Sequence, residues 1–127
     1  MRAEPGRRLF APDAPRDWNA LRAGFRWAIP ADFSIARACC DDWAAAEPDR
    51  VAIIDLSAGR EVWTYGRLKA AADRLANAMA AQGIGRGDRV AVLLPQGAAV
   101  PVAHLAAMKR GAVALPLFTL FGPEALD

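Results

Sequence analysis

Two short apolar segments in the second half of the 127-residue chain constrain its fold most strongly. Residues 89–94 (RVAVLL) and 112–117 (AVALPL) are rich in Val and Leu and too short for helices, which predicts strands, the first of them covered on both faces. Residues 98–110 predict a helix, because Pro101 is tolerated in a first turn and Gly111 can close the last one. This order predicts a βαβ unit with parallel strands and a right-handed crossover.

A β-hairpin and a long helix are predicted before this unit. Residues 51–55 (VAIID) and 61–65 (EVWTY) flank the turn residues 57–59 (SAG), a pattern typical of two strands joined by a tight connection. Thr64 is a good N-cap for a helix that runs to about Gln82. The core-facing stripe of that helix is predicted to be Leu68, Ala71, Ala72, Leu75 and Met79.

The earliest helix of this region is predicted between residues 32 and 47. Asp32 or Ser34 can cap its start, and Pro48 disfavours helical backbone at Glu47. The residues with the spacing of one helical face are Ile35, Ala38, Cys39, Trp43 and Ala46.

No catalytic constellation can be assembled from the reactive side chains. Cys39 and Cys40 are adjacent, which disfavours an unstrained disulfide, and both are predicted to be small buried residues on a helix. His104 lies in the middle of a predicted helix without an adjacent nucleophile, which favours a structural or pocket-lining role. The tryptophans are interpreted as core and arm anchors: Trp18, Trp27, Trp43 and Trp63. We predict no catalytic, cofactor-binding or metal-binding residue.

Glycines at alternate positions in residues 83–88 (GIGRGD) raise the question of phosphate binding. Phosphate-binding loops follow a strand and open a helix, whereas here a helix ends and a strand begins. Gly83 is therefore predicted to be a left-handed helix cap. Residues 95–97 (PQG) are better placed, between a strand and a helix at the carboxyl end of the sheet, but they have one glycine and no Lys, Ser or Thr partner.

The composition excludes two classes of partner. A net charge of +2 gives no broad positive field, so no nucleic-acid binding is predicted. No apolar run approaches the roughly 20 residues that span a bilayer, so no membrane span is predicted, and the expected location is cytoplasmic. Residues 1–32, which are rich in proline and arginine, are predicted to form an irregular N-terminal arm.

Two segments resemble core motifs of a known superfamily. Residues 63–68 (WTYGRL) resemble the first core motif of the adenylate-forming (AMP-binding) enzymes, and residues 108–117 (MKRGAVALPL) resemble the second. The spacing of Leu75, Gly83 and Pro95 between them is also similar to that family. The arm, with its Trp18–Leu21 segment, looks most like the acetyl-CoA or medium-chain acyl-CoA synthetase branch.

The resemblance implies an α/β fold, in which residues 33–127 are the incomplete N-terminal part of the large domain, with a hairpin and a βαβ unit of a mostly parallel sheet. It also implies a ligase that joins a carboxylic acid to ATP, forms an acyl-adenylate and transfers the acyl group to coenzyme A. The implied cofactors of the full-length enzyme are ATP, Mg²⁺ and CoA. Two departures are Arg67, where the family often has Glu, and Gln96, where Asn is usual.

The family's phosphate loop and its C-terminal lysine would lie beyond residue 127, so the resemblance assigns no site residue here. The chain is expected to be an N-terminal fragment that is inactive alone and binds none of the cofactors tightly. The alternative is a non-catalytic interaction module or truncated relic that pairs, with itself or another chain, through exposed strand edges.

Overall fold

The computed structural model describes residues 17–27 and 29–120 and divides into two compact units after Phe33. Among its described residues the first unit contains one helix, α1 (Trp18–Gly24), which the prediction of an irregular arm did not include. The Asp17 carboxylate caps α1 by accepting a hydrogen bond from the Ala20 N–H at 2.8 Å. Residues 1–16 and 121–127, which belong to the predicted arm and to the end of the predicted large-domain segment, lie outside the described residues.

Two of the predicted aromatic anchors in this first unit are exposed. Trp18 is 69% and Trp27 is 78% exposed, so the prediction that they anchor the arm is wrong for the described residues. Trp27 makes an edge-to-face contact with Phe25, with the ring centroids 4.9 Å apart.

The second unit opens with a helix that contains a π-helical stretch, Arg37–Asp41, followed by α2 (Asp42–Ala46). Ser34 caps it, because its hydroxyl accepts the Arg37 N–H at 3.3 Å. The predicted apolar face is wrong: Ala36 and Cys40 are buried, whereas Ile35 and Cys39 are exposed. The buried positions, Ala36 and Cys40, keep a four-residue spacing but are shifted by one residue from the predicted Ile35 and Cys39.

The predicted hairpin is confirmed. Strand β1 (Val51–Asp55) pairs antiparallel with β2 (Glu61–Thr64), with Ile54 opposite Val62. The register shifts between Val51 and Ile53, which places a bulge at the start of β1. Gly59 closes the connection with φ +113°, a conformation that residues with a side chain rarely adopt.

Helix α3 (Tyr65–Ala81) begins and ends as its capping residues predict. The Thr64 hydroxyl accepts the Arg67 N–H at 3.2 Å. At the other end Gly83 has φ +79°, and its N–H donates to Ala80 while the Ile84 N–H donates to Met79. This pair of bonds is the Schellman arrangement. Within the predicted stripe, Leu68 and Ala72 are buried and Ala71, Leu75 and Met79 are half-buried; Ala76, which the prediction did not include, is also buried.

The predicted βαβ unit is present. Strands β3 (Arg89–Val92) and β4 (Val113–Pro116) pair in parallel, and α4 (Ala99–Lys109) connects them and packs on both. One expectation is wrong: β3 is covered on one face only, since Val92 is buried while Leu93 is 49% exposed. The described residues provide a helix for one side of this sheet and none for the other.

The core lies between the first helix of this unit, α3 and α4. Small side chains dominate it, which lets the helix axes approach closely. Its buried members are Ala36, Cys40, Leu68, Ala72 and Leu105, and the half-buried residues packed on them are Ala52, Ile53, Val102 and Met108.

We predict that Gly83→Ala lowers the free energy of unfolding by about 1 kcal/mol, because alanine resists the left-handed conformation that the α3 cap requires. Gly85→Ala is the matched control, since a Cβ at either position would meet no atom within 4 Å and only Gly83 has a positive φ. Urea denaturation of both variants measures the difference. Equal destabilisation of the two would contradict the cap assignment.

Candidate functional site

The glycine-rich segment after α3 uses its N–H groups within the protein. The Gly85 N–H donates to the Asp88 carboxylate at 2.7 Å, and the Gly87 N–H donates to the Gly111 carbonyl at 3.1 Å. Gly83 is engaged in the α3 cap. These donors are therefore engaged by groups of the chain itself and not by a phosphate site, and the segment acts as a turn that delivers β3 beside the end of α4.

The N-terminus of α4, the better phosphate candidate, is already engaged by an acid of the chain itself. Asp55, at the end of β1, accepts the Ala98 N–H at 2.7 Å through one oxygen and the Ser57 N–H at 2.8 Å through the other. A Cβ on Gly97 would lie 3.2 Å from the Asp55 carboxylate and 3.3 Å from the Ser57 hydroxyl. The carboxylate occupies the place where a phosphate would meet the helix.

Electrostatics favour the ionised form of Asp55 in this position. Hydrogen bonds from Ser57, through its side chain and its N–H, and then from Ala98 hold the pKa of Asp55 below its usual range. The arrangement is a helix cap formed by a residue 43 positions away in the sequence. It ties the hairpin to the βαβ unit.

A second polar site joins three helical segments. Lys109, at the end of α4, forms ion pairs with Asp41 of the π-helical stretch and with Asp73 of α3, the latter at 2.8 Å. Lys69 approaches the other Asp73 oxygen at 2.5 Å. These four residues are called the ion cluster below. The Lys109 side chain is only 13% exposed, so its charge is stabilised by partners more than by water.

The pKa shifts in the ion cluster have the signs expected of ion pairs. Burial raises the pKa of Asp73, but the hydrogen bonds from Lys109 and Lys69 outweigh it and hold that pKa below its usual range. Burial lowers the pKa of Lys109, and the hydrogen bonds to Asp41 and Asp73 reverse this and raise it. Asp73 and Lys109 are therefore held in their charged forms at neutral pH.

The reactive residues do not form a catalytic arrangement. Burial, followed by the charge of Asp41, raises the pKa of the Cys40 thiol, which opposes formation of a thiolate. Cys39 is exposed, which contradicts the prediction that both thiols are buried. The Nε2 atom of His104 is buried and has no hydrogen-bond partner among the described residues. Within residues 17–27 and 29–120, no three His, Cys, Asp or Glu side chains are grouped to hold a metal ion.

The two tryptophans of the second unit lie in aromatic and cationic contacts. Trp43 stacks on Tyr65, with ring centroids 5.6 Å apart, and carries the Arg50 guanidinium at 4.4 Å on its ring. Trp63 carries the Arg67 guanidinium at 3.8 Å. Arg67, the departure from the family's usual Glu, also pairs with Glu61 at 2.6 Å. The Trp43 stack joins α2 to the start of α3, and the contacts of Trp63 and Glu61 with Arg67 join the hairpin to it.

The fold and these sites define an α/β protein segment built from a hairpin and a βαβ unit. The family model described as "AMP-binding enzyme" matches residues 40–127, and the chain belongs to the AMP-binding enzyme family. In the part of the chain that the structure describes, no helix has the length and apolar character needed to cross a membrane.

Similar proteins include acetyl-coenzyme A synthetases. That of Sodalis glossinidius (strain morsitans) is 38% identical over 80% of this chain and 16% of its own length, and that of Magnetococcus marinus is 33% identical over 87% and 18%. A solved acyl-CoA synthetase from Brucella canis superposes with a TM-score of 0.67 at 34% identity, over 74% of this chain and 17% of that one. The chain spans about a sixth of the length of these relatives.

We predict that Lys109→Met lowers the free energy of unfolding by about 2 kcal/mol, because two partly buried carboxylates lose their shared cation. Lys69→Met is the matched control, with an expected loss of about 0.5 kcal/mol or less, since Lys69 is 40% exposed and pairs with one carboxylate. Chemical denaturation at pH 7 compares the two.

The pH dependence of the stability difference between Lys109→Met and Lys69→Met checks this prediction. The contribution of Asp73 to the free energy of unfolding is present above the pKa of an unfolded Asp, and it is lost as pH falls through the lower pKa of Asp73 in the folded state. The contribution of Lys109 is lost as pH rises through the raised pKa of Lys109 in the folded state. The difference between the lysine variants should therefore be greatest between about pH 5 and pH 9. A difference that is the same at pH 3 and pH 7 would contradict the ion cluster.

We predict that the wild type is more stable than Asp55→Asn at neutral pH and that the gap closes in acid. The folded pKa of Asp55 lies below the unfolded one, so its contribution is complete above about pH 4 and lost as pH falls through the folded value. Asp49→Asn, at an exposed turn position before β1, is the charge-matched control. Denaturation midpoints from pH 2 to pH 7, roughly the range in which carboxyl groups titrate, measure the stability difference between the wild type and Asp55→Asn. A difference that widens in acid would exclude the cap.

Proposed function

We propose that this chain is the N-terminal part of an AMP-forming acyl-CoA synthetase. The complete enzyme would convert a carboxylic acid, ATP and CoA into acyl-CoA, AMP and pyrophosphate in the cytoplasm. Support comes from the family match over residues 40–127 and from the acetyl-coenzyme A synthetases among its relatives. The chemistry requires adenylation because a carboxylate is a poor electrophile and a mixed anhydride provides a good leaving group.

The observation that carries the proposed role is that the two motif segments are used for folding. In the first motif, Thr64 caps α3, and the Gly66 N–H donates to the Pro48 carbonyl at 2.9 Å. A Cβ on Gly66 would lie 3.1 Å from the Pro48 carbonyl oxygen, so a larger residue would displace that contact. In the second motif, Lys109 binds Asp41 and Asp73, and Gly111 adopts φ +69° to end α4.

The described residues do not fit the groups that the full reaction needs. The Ala98 N–H that precedes α4 donates to Asp55, and within residues 17–27 and 29–120 no three His, Cys, Asp or Glu side chains are grouped to hold a metal ion. Triphosphate binding also requires cationic or N–H donors that converge on the developing pyrophosphate charge. We therefore assign this chain a scaffolding role, inactivity when alone, and no step of the chemistry.

The proposal is tested by ATP–pyrophosphate exchange with two proteins. The purified 127-residue chain is expected to give no exchange that depends on a carboxylic acid. A chimera in which this chain replaces the corresponding segment of the Sodalis glossinidius acetyl-coenzyme A synthetase is expected to exchange with acetate. Acid-dependent exchange by the chain alone would overturn its inactivity. A folded chimera without exchange would overturn the assignment to this enzyme.

A further inference from the structure

Three arginines meet at the amino-terminal edge of the parallel sheet. Arg89 is the first residue of β3, Arg110 directly follows α4, and Arg86 lies in the turn before β3. The Arg110 Nε–H donates to the Ile84 carbonyl at 3.1 Å, and a Cβ on Gly111 would lie 3.5 Å from the Arg86 side chain. These contacts bring the two segments together at one edge. We call Arg86, Arg89 and Arg110 the arginine cluster.

The arginine cluster has no acidic partner within residues 17–27 and 29–120. Arg86 and Arg89 are exposed and donate no side-chain hydrogen bond to a described residue, and Arg110 donates only its Nε–H. Asp88 lies between them in the sequence, but its carboxylate accepts the Gly85 N–H at 2.7 Å. The ion pairs of the second unit use other cations: Arg37, Arg50, Arg67, Lys69 and Lys109.

The ends of two helices account for only part of this arrangement. Both α3 and α4 end at this edge, and the negative end of a helix attracts cations. Arg110 serves that purpose, because it donates to a carbonyl just beyond α3. Arg86 and Arg89 donate to no carbonyl of the described residues, so their charges are available to an anion from outside the chain.

We propose that the arginine cluster is an interaction surface for an acidic segment of another polypeptide. Guanidinium groups bind carboxylates in a planar, two-point geometry, and the contacts that hold Arg86 and Arg110 reduce the entropy lost on binding. The observations favour carboxylates over a phosphate. A phosphate needs donors that converge on one point, and the nearby N–H groups of Gly85 and Gly87 are engaged within the chain.

The position of the arginine cluster separates it from the proposed catalytic role. Open α/β sheets bind their ligands at the carboxyl ends of the strands, whereas this cluster lies at the amino ends. The inference therefore does not rest on the proposed function, and failure of one leaves the other intact.

The test measures binding of a dye-labelled hexaglutamate peptide to the 127-residue chain by fluorescence anisotropy. In about 0.1 M salt the Debye length is about 10 Å, so distant charges contribute little. The double variant Arg86→Gln/Arg89→Gln is expected to bind the peptide about fivefold more weakly, because two exposed ion pairs are lost. Arg110 is left unchanged, since its Nε–H holds Ile84.

The matched control is Arg60→Gln/Arg74→Gln, which removes the same charge elsewhere. Arg60 lies in the hairpin connection with Ser57, whose hydroxyl approaches Gly97 beyond the carboxyl end of β3. Arg74 lies about 12 Å along the helix axis from Gln82, at the end of α3. The control is expected to bind within about 1.5-fold of the wild type, because screening limits the effect of both sites.

Four outcomes would overturn the proposal. The first is no binding of the peptide, and the second is equal weakening in the two double variants, which would show a response to net charge alone. The third is tighter binding of inorganic pyrophosphate than of the peptide, since the site would then take a small anion. The fourth is self-association of the chain that Arg86→Gln/Arg89→Gln abolishes, since the partner would then be a second copy.

A measurement on the wild type keeps the proposal testable without any variant. Amide chemical shifts should change at Gly87 and Gly111 when the peptide is added, because the Gly87 N–H donates to the Gly111 carbonyl within the edge that carries the cluster. The Gly97 amide, at the other end of the sheet, should not change. Changes confined to Gly97 would overturn the proposal.

Discussion

The ion cluster is the interaction on which the second unit depends most. Lys109 ends α4 and binds carboxylates from two other helical segments, so one cation fixes three helices whose shared core is built mainly of alanine and other small side chains. Small side chains remove little apolar area from water, and a core of this kind needs additional specificity. A cation that is 13% exposed and paired with two carboxylates tolerates few alternative packings, because any other register would leave buried charge unpaired.

Asp55 has a corresponding role for the sheets. From the end of β1 it accepts the N–H of Ala98, the N-cap residue of α4, and so relates the hairpin to the βαβ unit without a shared strand. The Asp55 and Ser57 side chains approach Gly97 closely, so a glycine is needed there to leave room for them. The glycine that made residues 95–97 a phosphate candidate therefore serves the helix cap. The glycines of residues 83–88 also serve the fold, because their N–H groups donate hydrogen bonds within two adjoining turns.

Capping residues and short apolar patterns predicted the helices and strands of the second unit. The contacts that hold these elements together, formed by residues far apart in the sequence, were not predicted. Thr64 and Gly83 mark the ends of α3 because a cap depends on a few neighbouring residues. The ion pair of Lys109 with Asp41 spans 68 residues and the Asp55 cap spans 43, so no spacing rule reveals either. The inward face of the first helix of the second unit is offset by one residue from the predicted face, so Cys40 is buried whereas Cys39, also predicted to be buried, is exposed.

In the proposed function, the residues of the two motifs serve folding and leave the chemistry to other parts of the enzyme. Steady-state kinetics of Lys109→Met in the acetyl-coenzyme A synthetase chimera, measured well below its melting temperature, test this most directly. The expected result is a lower melting temperature with kcat and the KM for ATP within about twofold of the parent chimera, as for a residue that does not contact the transition state. A kcat that falls by orders of magnitude while the melting temperature is unchanged would contradict it.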